Sequence, residues 1–182
     1  MKRIQLIVGN EITNFTNDVY SFVDQFDIMP PLIRLGKDPR YQWEIISIFI
    51  AFAEASPIIA DSIYEYEFLE EYEDSFETYD IEKRELYITL FLFICINTPQ
   101  SISSKKNLSA FYDEAMDLLD SLSDKFTILF LRSIDSLSTQ PTFDITFCFD
   151  CSELGEKLDD LSTNSDNEEI VALCKEILPK LP

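Results

Sequence analysis

The chain has 182 residues, of which 46% are hydrophobic and 13% aromatic, and this content predicts one folded domain over residues 1–182 rather than a disordered acidic tail. Its 34 acidic residues outweigh 14 basic ones, and the net charge of −20 disfavours unassisted binding to nucleic acids or an anionic membrane. With no histidine, no glycine-rich phosphate loop and no nucleophile motif, the sequence leads us to expect no catalytic residue and no enzyme activity.

The first third of the chain is predicted to hold a strand and two helices. Residues 3–8 alternate between apolar and polar side chains, which is typical of a strand. From Asn10, apolar residues recur at three- and four-residue spacing, so we expect a helix that the Met-Pro-Pro sequence at 29–31 ends. After a loop, Asp38 followed by proline predicts a capped second helix that ends near Ser56.

The middle of the chain is predicted to be helical as well. Pro57 opens a third helix that includes the acidic segment discussed below. Residues 81–96 predict a fourth helix, apolar on nearly all sides in its second half and therefore central in the fold. A buried strand is the alternative for the apolar run, but the length of the run and the residues 82–85 before it favour the helix. Residues 97–107 are predicted to form a loop, and residues 109–137 one bent helix or two helices.

The C-terminal part combines the clearest strand pattern with two helix starts. Residues 142–149 alternate strictly between apolar and polar side chains and can pair with residues 3–8. Asp150 and Ser165, each followed three residues later by glutamate, are typical of capped helix starts. The predicted fold is mainly α (α+β): a single-domain helical bundle of about six to eight helices with a minimal two-stranded sheet of residues 3–8 and 142–149.

Location and redox state are predicted from apolar runs and cysteines. The longest apolar run, residues 86–96, is about half of the roughly 20 residues that a membrane helix needs. The apolar stretch after the basic start is too short for a signal-peptide core, so we expect a cytoplasmic protein. The four cysteines, Cys95, Cys148, Cys151 and Cys174, are expected to be reduced thiols. The alternatives are redox chemistry at the Cys148–Cys151 pair and a zinc site formed by all four.

The strongest functional signal is the segment 64–85, YEYEFLEEYEDSFETYDIEKRE, which holds ten carboxylates and two basic residues. On a helix, one face would carry the aromatic residues Phe68, Tyr72, Phe76 and Tyr79. Like-charge pairs cost about 0.2–0.5 kcal/mol each, whereas each buried aromatic side chain contributes about 1.5–3 kcal/mol. Such a helix needs no partner to form. It is either an ordinary amphipathic helix with a solvated acidic face, or a carboxylate row that binds a basic surface and imitates a phosphate backbone.

Under the second interpretation, the partner-binding residues are six acids and two tyrosine anchors. They are Glu67, Glu70, Glu71, Asp74, Glu77, Asp80, Tyr66 and Tyr72. The expected partner is a basic protein. No cofactor or metal site is expected, because the loop ligands and the turn glycine of a Ca²⁺ site are missing here.

Two further charged clusters have simpler interpretations. The aspartates at positions 113, 117, 120 and 124 recur at helical spacing and are interpreted as a solvated helix face, with a Mg²⁺ site as the alternative. The only basic cluster consists of Arg34, Lys37 and Arg40. It either pairs with acids of the same chain or contacts a nucleic acid held by the partner.

A small, strongly acidic, mostly helical chain that contains the stretch YEYEFLEEYEDSFETYD resembles anti-CRISPR proteins, which inhibit RNA-guided nucleases. The resemblance lies in size, charge and this stretch. It implies a non-enzymatic inhibitor whose partner is a nuclease or a nuclease–RNA complex. Such an inhibitor would bind the basic nucleic-acid channel of the effector nuclease and block DNA engagement or cleavage. Immunity proteins that neutralise nuclease toxins share the same profile and are the alternative, together with a structural or scaffold protein.

Overall fold

The computed structural model of the protein describes residues 12–66, 68–69, 78–103, 108–119 and 123–182. These residues form ten α-helices and two short 3₁₀ segments, Ile145–Phe147 and Leu178–Lys180. The helices in chain order are α1 (Ile12–Gln25), α2 (Met29–Gly36), α3 (Gln42–Ala55), α4 (Pro57–Glu65), α5 (Ile81–Asn97), α6 (Pro99–Ile102), α7 (Leu108–Leu119), α8 (Asp124–Ser138), α9 (Cys151–Asn164) and α10 (Glu168–Ile177). The mainly helical prediction is therefore confirmed.

The predicted two-stranded sheet is not seen, because the described residues contain no strand. Residues 142–149 form turns around the 3₁₀ segment Ile145–Phe147, which we call the 3₁₀ turn. Their proposed partner, residues 3–8, lies outside the described residues. The strand prediction for residues 142–149 was wrong.

Local hydrogen bonds explain why this alternating sequence turns. The Phe147 N–H donates to the Asp144 carbonyl, and the Cys148 N–H donates to the Ile145 carbonyl, each at 3.1 Å. The Asp144 carboxylate accepts a further bond from the Thr146 N–H at 3.0 Å. An aspartate that satisfies nearby backbone donors in this way offers the chain an alternative to a ladder between strands.

The helix count exceeds the predicted six to eight because two expected loops contain helices. The Met-Pro-Pro sequence begins α2 instead of ending α1, since a proline without an N–H fits the first helical turn. A short α6 likewise begins at Pro99, within the loop predicted for residues 97–107. Asp38 does not cap α3, which begins at Gln42. Its carboxylate instead accepts from the Arg40 N–H at 3.0 Å.

Helix α5 lies at the centre of the fold, as predicted, and packs against α3, α4, α7 and α8. Phe91 of α5 stacks on Phe111 of α7 with ring centroids 4.4 Å apart. Tyr112 of α7 contacts Phe130 of α8 and Phe149, at 6.0 and 4.6 Å between centroids. This aromatic cluster fixes α7 and the residues that lead into α9. In the described part of the chain, no helix has the length and apolar character to cross a bilayer.

The last two α-helices are held by their caps and by α8. Asp150 caps α9 as predicted, and its carboxylate accepts from the N–H groups of the second and third helical residues at 2.9 and 3.3 Å. The cap of α10 is Asn167 rather than Ser165. Helix α10 packs on both α8 and α9. Helix α9 buries Leu154 and Leu158 and leaves much of its other surface exposed.

Candidate partner-binding surfaces

The structure describes the two flanks of the acidic stretch but not its middle. Of the eight predicted partner-binding residues, Tyr66 and Asp80 are described. The other six lie outside the described residues: Glu67, Glu70, Glu71, Tyr72, Asp74 and Glu77. Helix α4 ends at Glu65, and Phe68 and Leu69 lie in a turn. The expected continuous helix from Pro57 through the acidic stretch is therefore wrong at its first flank.

Both flanks of the stretch are fixed to α3 by aromatic side chains. The Phe68 ring is completely buried and meets the Phe49 ring edge to face at 4.9 Å between centroids. The Tyr79 ring meets the Trp43 ring in the same way, also at 4.9 Å. The expected inward orientation is thus confirmed for Phe68 and Tyr79, although neither lies in an α-helix.

The buried flank is closely fitted around Gly36. A Cβ atom at Gly36 would lie 2.5 Å from Phe68 Cε2 and 3.1 Å from Ile45 Cγ2, so any side chain there would force its neighbours apart. The Tyr87 hydroxyl donates a hydrogen bond to the Leu69 carbonyl. The chain therefore enters the acidic stretch from a fixed position in the core.

The two described members of the predicted site have different roles. Asp80 caps α5 by accepting from the Lys83 N–H at 3.0 Å, and it pairs with Lys83 Nζ at 2.7 Å. Hydrogen bonding from Lys83 lowers the pKa of Asp80. Tyr66 is 44% exposed and lines a cavity of about 140 Å³ between α1 and α4. Asp80 therefore serves the fold, while Tyr66 is accessible to a partner.

A second acidic surface is a groove between α7 and α9, which we call the acidic groove. It consists of two adjoining cavities of about 240 and 410 Å³ that share Met116, Asp117 and Glu153. Phe149 adds to its apolar lining, and Lys157 is the basic residue among the described lining residues. The carboxylates that line it are Asp113 and Asp117 on α7, Asp150 at the cap of α9, and Glu153, Glu156 and Asp160 on α9.

Helix packing explains why these carboxylates face the groove. On α7, the buried Phe111 and Tyr112 hold one face of the helix in the core, and Asp113 and Asp117 lie one turn apart on the exposed side. On α9, the acidic positions recur every three or four residues from Asp150 onwards, so they follow one face of the helix. The two acidic faces meet because α7 is fixed to α5 and α9 to α10.

Among the described residues, the groove carboxylates of α7 have no cationic partner. Neither Asp113 nor Asp117 makes a hydrogen bond or an ion pair within the described part of the protein. Desolvation, and then the charge of Asp117, raise the pKa of Asp113. By contrast, Glu114 lies 2.6 Å from the guanidinium of Arg84. Burial nevertheless raises the pKa of Glu114, because desolvation outweighs the attraction to Arg84.

The predicted aspartate ladder does not lie on one helix. Asp113 and Asp117 are on α7, whereas Asp124 begins α8 and accepts from Asn167 Nδ2 at 3.0 Å. Asp120 lies outside the described residues. Within the described residues, no group of three or more acidic or cysteine side chains is arranged to hold a metal ion.

The structure describes the surroundings of all four cysteines. None of the four cysteines, all of which are described, forms a disulfide. Burial, with the nearby Asp144 and Asp113, raises the pKa of Cys148 to about 12, so its thiol stays protonated at neutral pH.

In the basic cluster, Arg40 pairs with Asp38 at 2.6 Å. The hydrogen bonds from Arg40 lower the pKa of Asp38 to about 2.

The sequence contained part of the signal for the groove. The acids of α9 recur at helical spacing, yet Asp150 and Glu153 were interpreted only as a capping pattern, and Asp113 and Asp117 as a solvated face. What could not be read from spacing is that two helices bring these acids to opposite sides of one groove. Neither a family model, a curated protein nor a solved structure matches the chain.

Proposed function

We propose that this protein is a non-enzymatic binding protein that places its acidic surface against a basic surface of another protein. The acidic groove is the observation that carries this proposal. Six carboxylates line it, and Asp113 and Asp117 among them have no cationic partner in the described part of the chain. Lysine or arginine side chains of a partner would supply that charge, and the field of the whole chain would accelerate their approach.

The finer proposal concerns the partner, which we infer to be an effector nuclease with a basic nucleic-acid channel. From Asp150 to Asp160, the acids of α9 extend over about 15 Å at the helical rise per residue. Neighbouring carboxylates along this line are about 5 Å apart along the helix axis, whereas one DNA strand carries a phosphate about every 3.4 Å of its axis. The carboxylate row is therefore less dense than a phosphate strand but of the same order. A protein bound in this way would block DNA engagement or cleavage, as the resemblance to anti-CRISPR proteins implies.

Charge neutralisation in the groove tests the general proposal. The triple variant Asp113→Asn, Asp117→Asn and Glu153→Gln is compared with wild type for binding of fluorescein-labelled oligolysine, measured by anisotropy. If each exposed ion pair contributes about 0.2–1 kcal/mol, the affinity falls between about 3-fold and 100-fold. The loss should shrink as salt screens the contact. Asp150 is left intact because it caps α9.

A matched control separates the groove from net charge. The variant Asp24→Asn, Glu44→Gln and Glu54→Gln removes the same number of exposed acids from α1 and α3. It should bind oligolysine nearly as well as wild type, and an equal loss in both variants would contradict the groove assignment. A DNA-cleavage assay with a purified RNA-guided nuclease tests the finer proposal, because wild type should inhibit cleavage and the groove variant should not.

A further inference from the structure

Phe147 is the most exposed large hydrophobic side chain in the described part of the protein, with 81% of its surface accessible. Isolated exposed hydrophobic residues are common on protein surfaces, so exposure alone does not indicate a binding site. Two further observations distinguish Phe147. Its backbone is held in a hydrogen-bonded turn, and Phe149, two residues later, lines the acidic groove.

The hydrogen bonds of the 3₁₀ turn and the residues that follow it hold the Phe147 backbone in place. Asp144 accepts from the Phe147 N–H through its carbonyl and from the Thr146 hydroxyl through its carboxylate, at 3.1 and 2.7 Å. Cys148 and Phe149 are both buried. The Phe147 ring is therefore held outward by a fixed backbone, and a partner would not have to order a loop before contacting it.

The position of Phe147 links it to the groove. Phe149, two residues later, lines the groove together with Met116. Asp144 and Asp150, three residues before and after Phe147, place carboxylates on both sides of it in the sequence. In protein interfaces a few residues, often aromatic, carry most of the binding energy, and polar residues form the rim around them.

We propose that Phe147 is the apolar anchor of the partner-binding surface, and that the acidic groove beside it takes lysine or arginine side chains of the same partner. This rests on the proposed function and specifies the occupant: a protein segment in which basic residues flank apolar ones. The charge argues against other occupants. Carboxylates repel the phosphates of nucleic acids and anionic lipids, and a second copy of this chain would bring its own charge of −20 to the interface.

Two labelled peptides with equal numbers of lysines test the anchor. One peptide has leucines between its lysines, and the other has serines at those positions. Wild type should bind the leucine peptide about tenfold more tightly, because burying an aromatic anchor typically contributes at least that factor. Phe147→Ala should lose this preference and keep its affinity for the serine peptide. Equal binding of both peptides by wild type, or an unchanged preference in Phe147→Ala, would overturn the proposal.

Phe26→Ala is the matched control, because Phe26 is 59% exposed at the end of α1. This variant should keep the preference for the leucine peptide, and losing it as Phe147→Ala does would refute a specific anchor. The groove triple variant distinguishes the two proposals: weaker binding of both peptides with the preference retained supports both. If the groove triple variant binds both peptides as tightly as wild type does, the proposed function is refuted, whatever the result for Phe147→Ala. Sedimentation of wild type as a dimer that Phe147→Ala dissociates would assign Phe147 to self-association and overturn the inference.

Discussion

The acidic stretch and the acidic groove are both dense in carboxylates, yet their described residues have different roles in the fold. At the edge of the stretch, Asp80 caps α5 and pairs with Lys83, and the aromatic ring of Phe68 is buried against α3. In the groove, Asp113 and Asp117 have no partner within the described residues. The density of acids along a sequence therefore does not identify the carboxylates left for a partner, because the fold decides which of them it uses.

The largest expected effect comes from the core flank of the stretch. Phe68→Ala should lower the free energy of unfolding by about 3–5 kcal/mol, because it leaves a cavity where a completely buried ring packs on Phe49. Phe147→Ala is the control and should change the free energy of unfolding by less than about 0.5 kcal/mol, since the Phe147 ring contacts solvent. Urea unfolding followed by circular dichroism measures both. Similar losses in the two variants would remove the contrast between a structural and an exposed aromatic residue.

A smaller effect should separate two acids that both line the groove. Asp150→Ala removes the cap of α9 and should destabilise the protein by about 0.5–2 kcal/mol. Asp117→Ala removes an acid with no described partner and should change stability by less than about 0.5 kcal/mol. The same unfolding experiment applies to both. A large loss in Asp117→Ala would show that the fold depends on this carboxylate.

The smallest effect concerns pH and Asp113. Burial and Asp117 raise the pKa of Asp113 above its ordinary value of 3.8, so its ionisation is less favourable in the folded than in the unfolded protein. Wild type therefore loses stability relative to Asp113→Asn as the pH rises through 3.8 towards the raised pKa. We expect Asp113→Asn to melt slightly higher at neutral pH, with no difference once Asp113 is protonated in both states. A lower melting temperature for Asp113→Asn at neutral pH would mean that Asp113 has a favourable partner.

Local patterns predicted much of the helical fold. The apolar residues of α5 and the apolar spacing of α10 were sufficient to predict these two helices. A helix that buries one face repeats its apolar residues every three or four positions, and a helix buried on all sides is apolar throughout. The cap at Asp150 was predicted for the same reason, since its side chain acts on neighbouring backbone groups. These features depend on residues close together in the chain.

Features that depend on competing or distant contacts were missed. The alternation at residues 142–149 is equally compatible with a strand and with a turn that exposes Phe147, and the Asp144 side chain favours the turn. The groove requires Asp113 and Glu153 to line one cavity although they are far apart in sequence. The stretch was predicted as one helix from its spacing, but Phe68 lies in a turn, where its ring is buried against Phe49 of α3.

Gly36 gives protein engineers a site that acts on the acidic stretch without altering any charge. Its backbone touches the Phe68 ring so closely that a single methyl group would have to displace it. The end of α2 and the connection to α3, which together carry the basic cluster, are therefore coupled to the entry of the acidic stretch at this point. A substitution at position 36 would displace Phe68 at the entry to the acidic stretch and would not alter a residue that lines the acidic groove. Comparing a partner's affinity for this variant and for the groove triple variant therefore tests which of the two surfaces the partner uses.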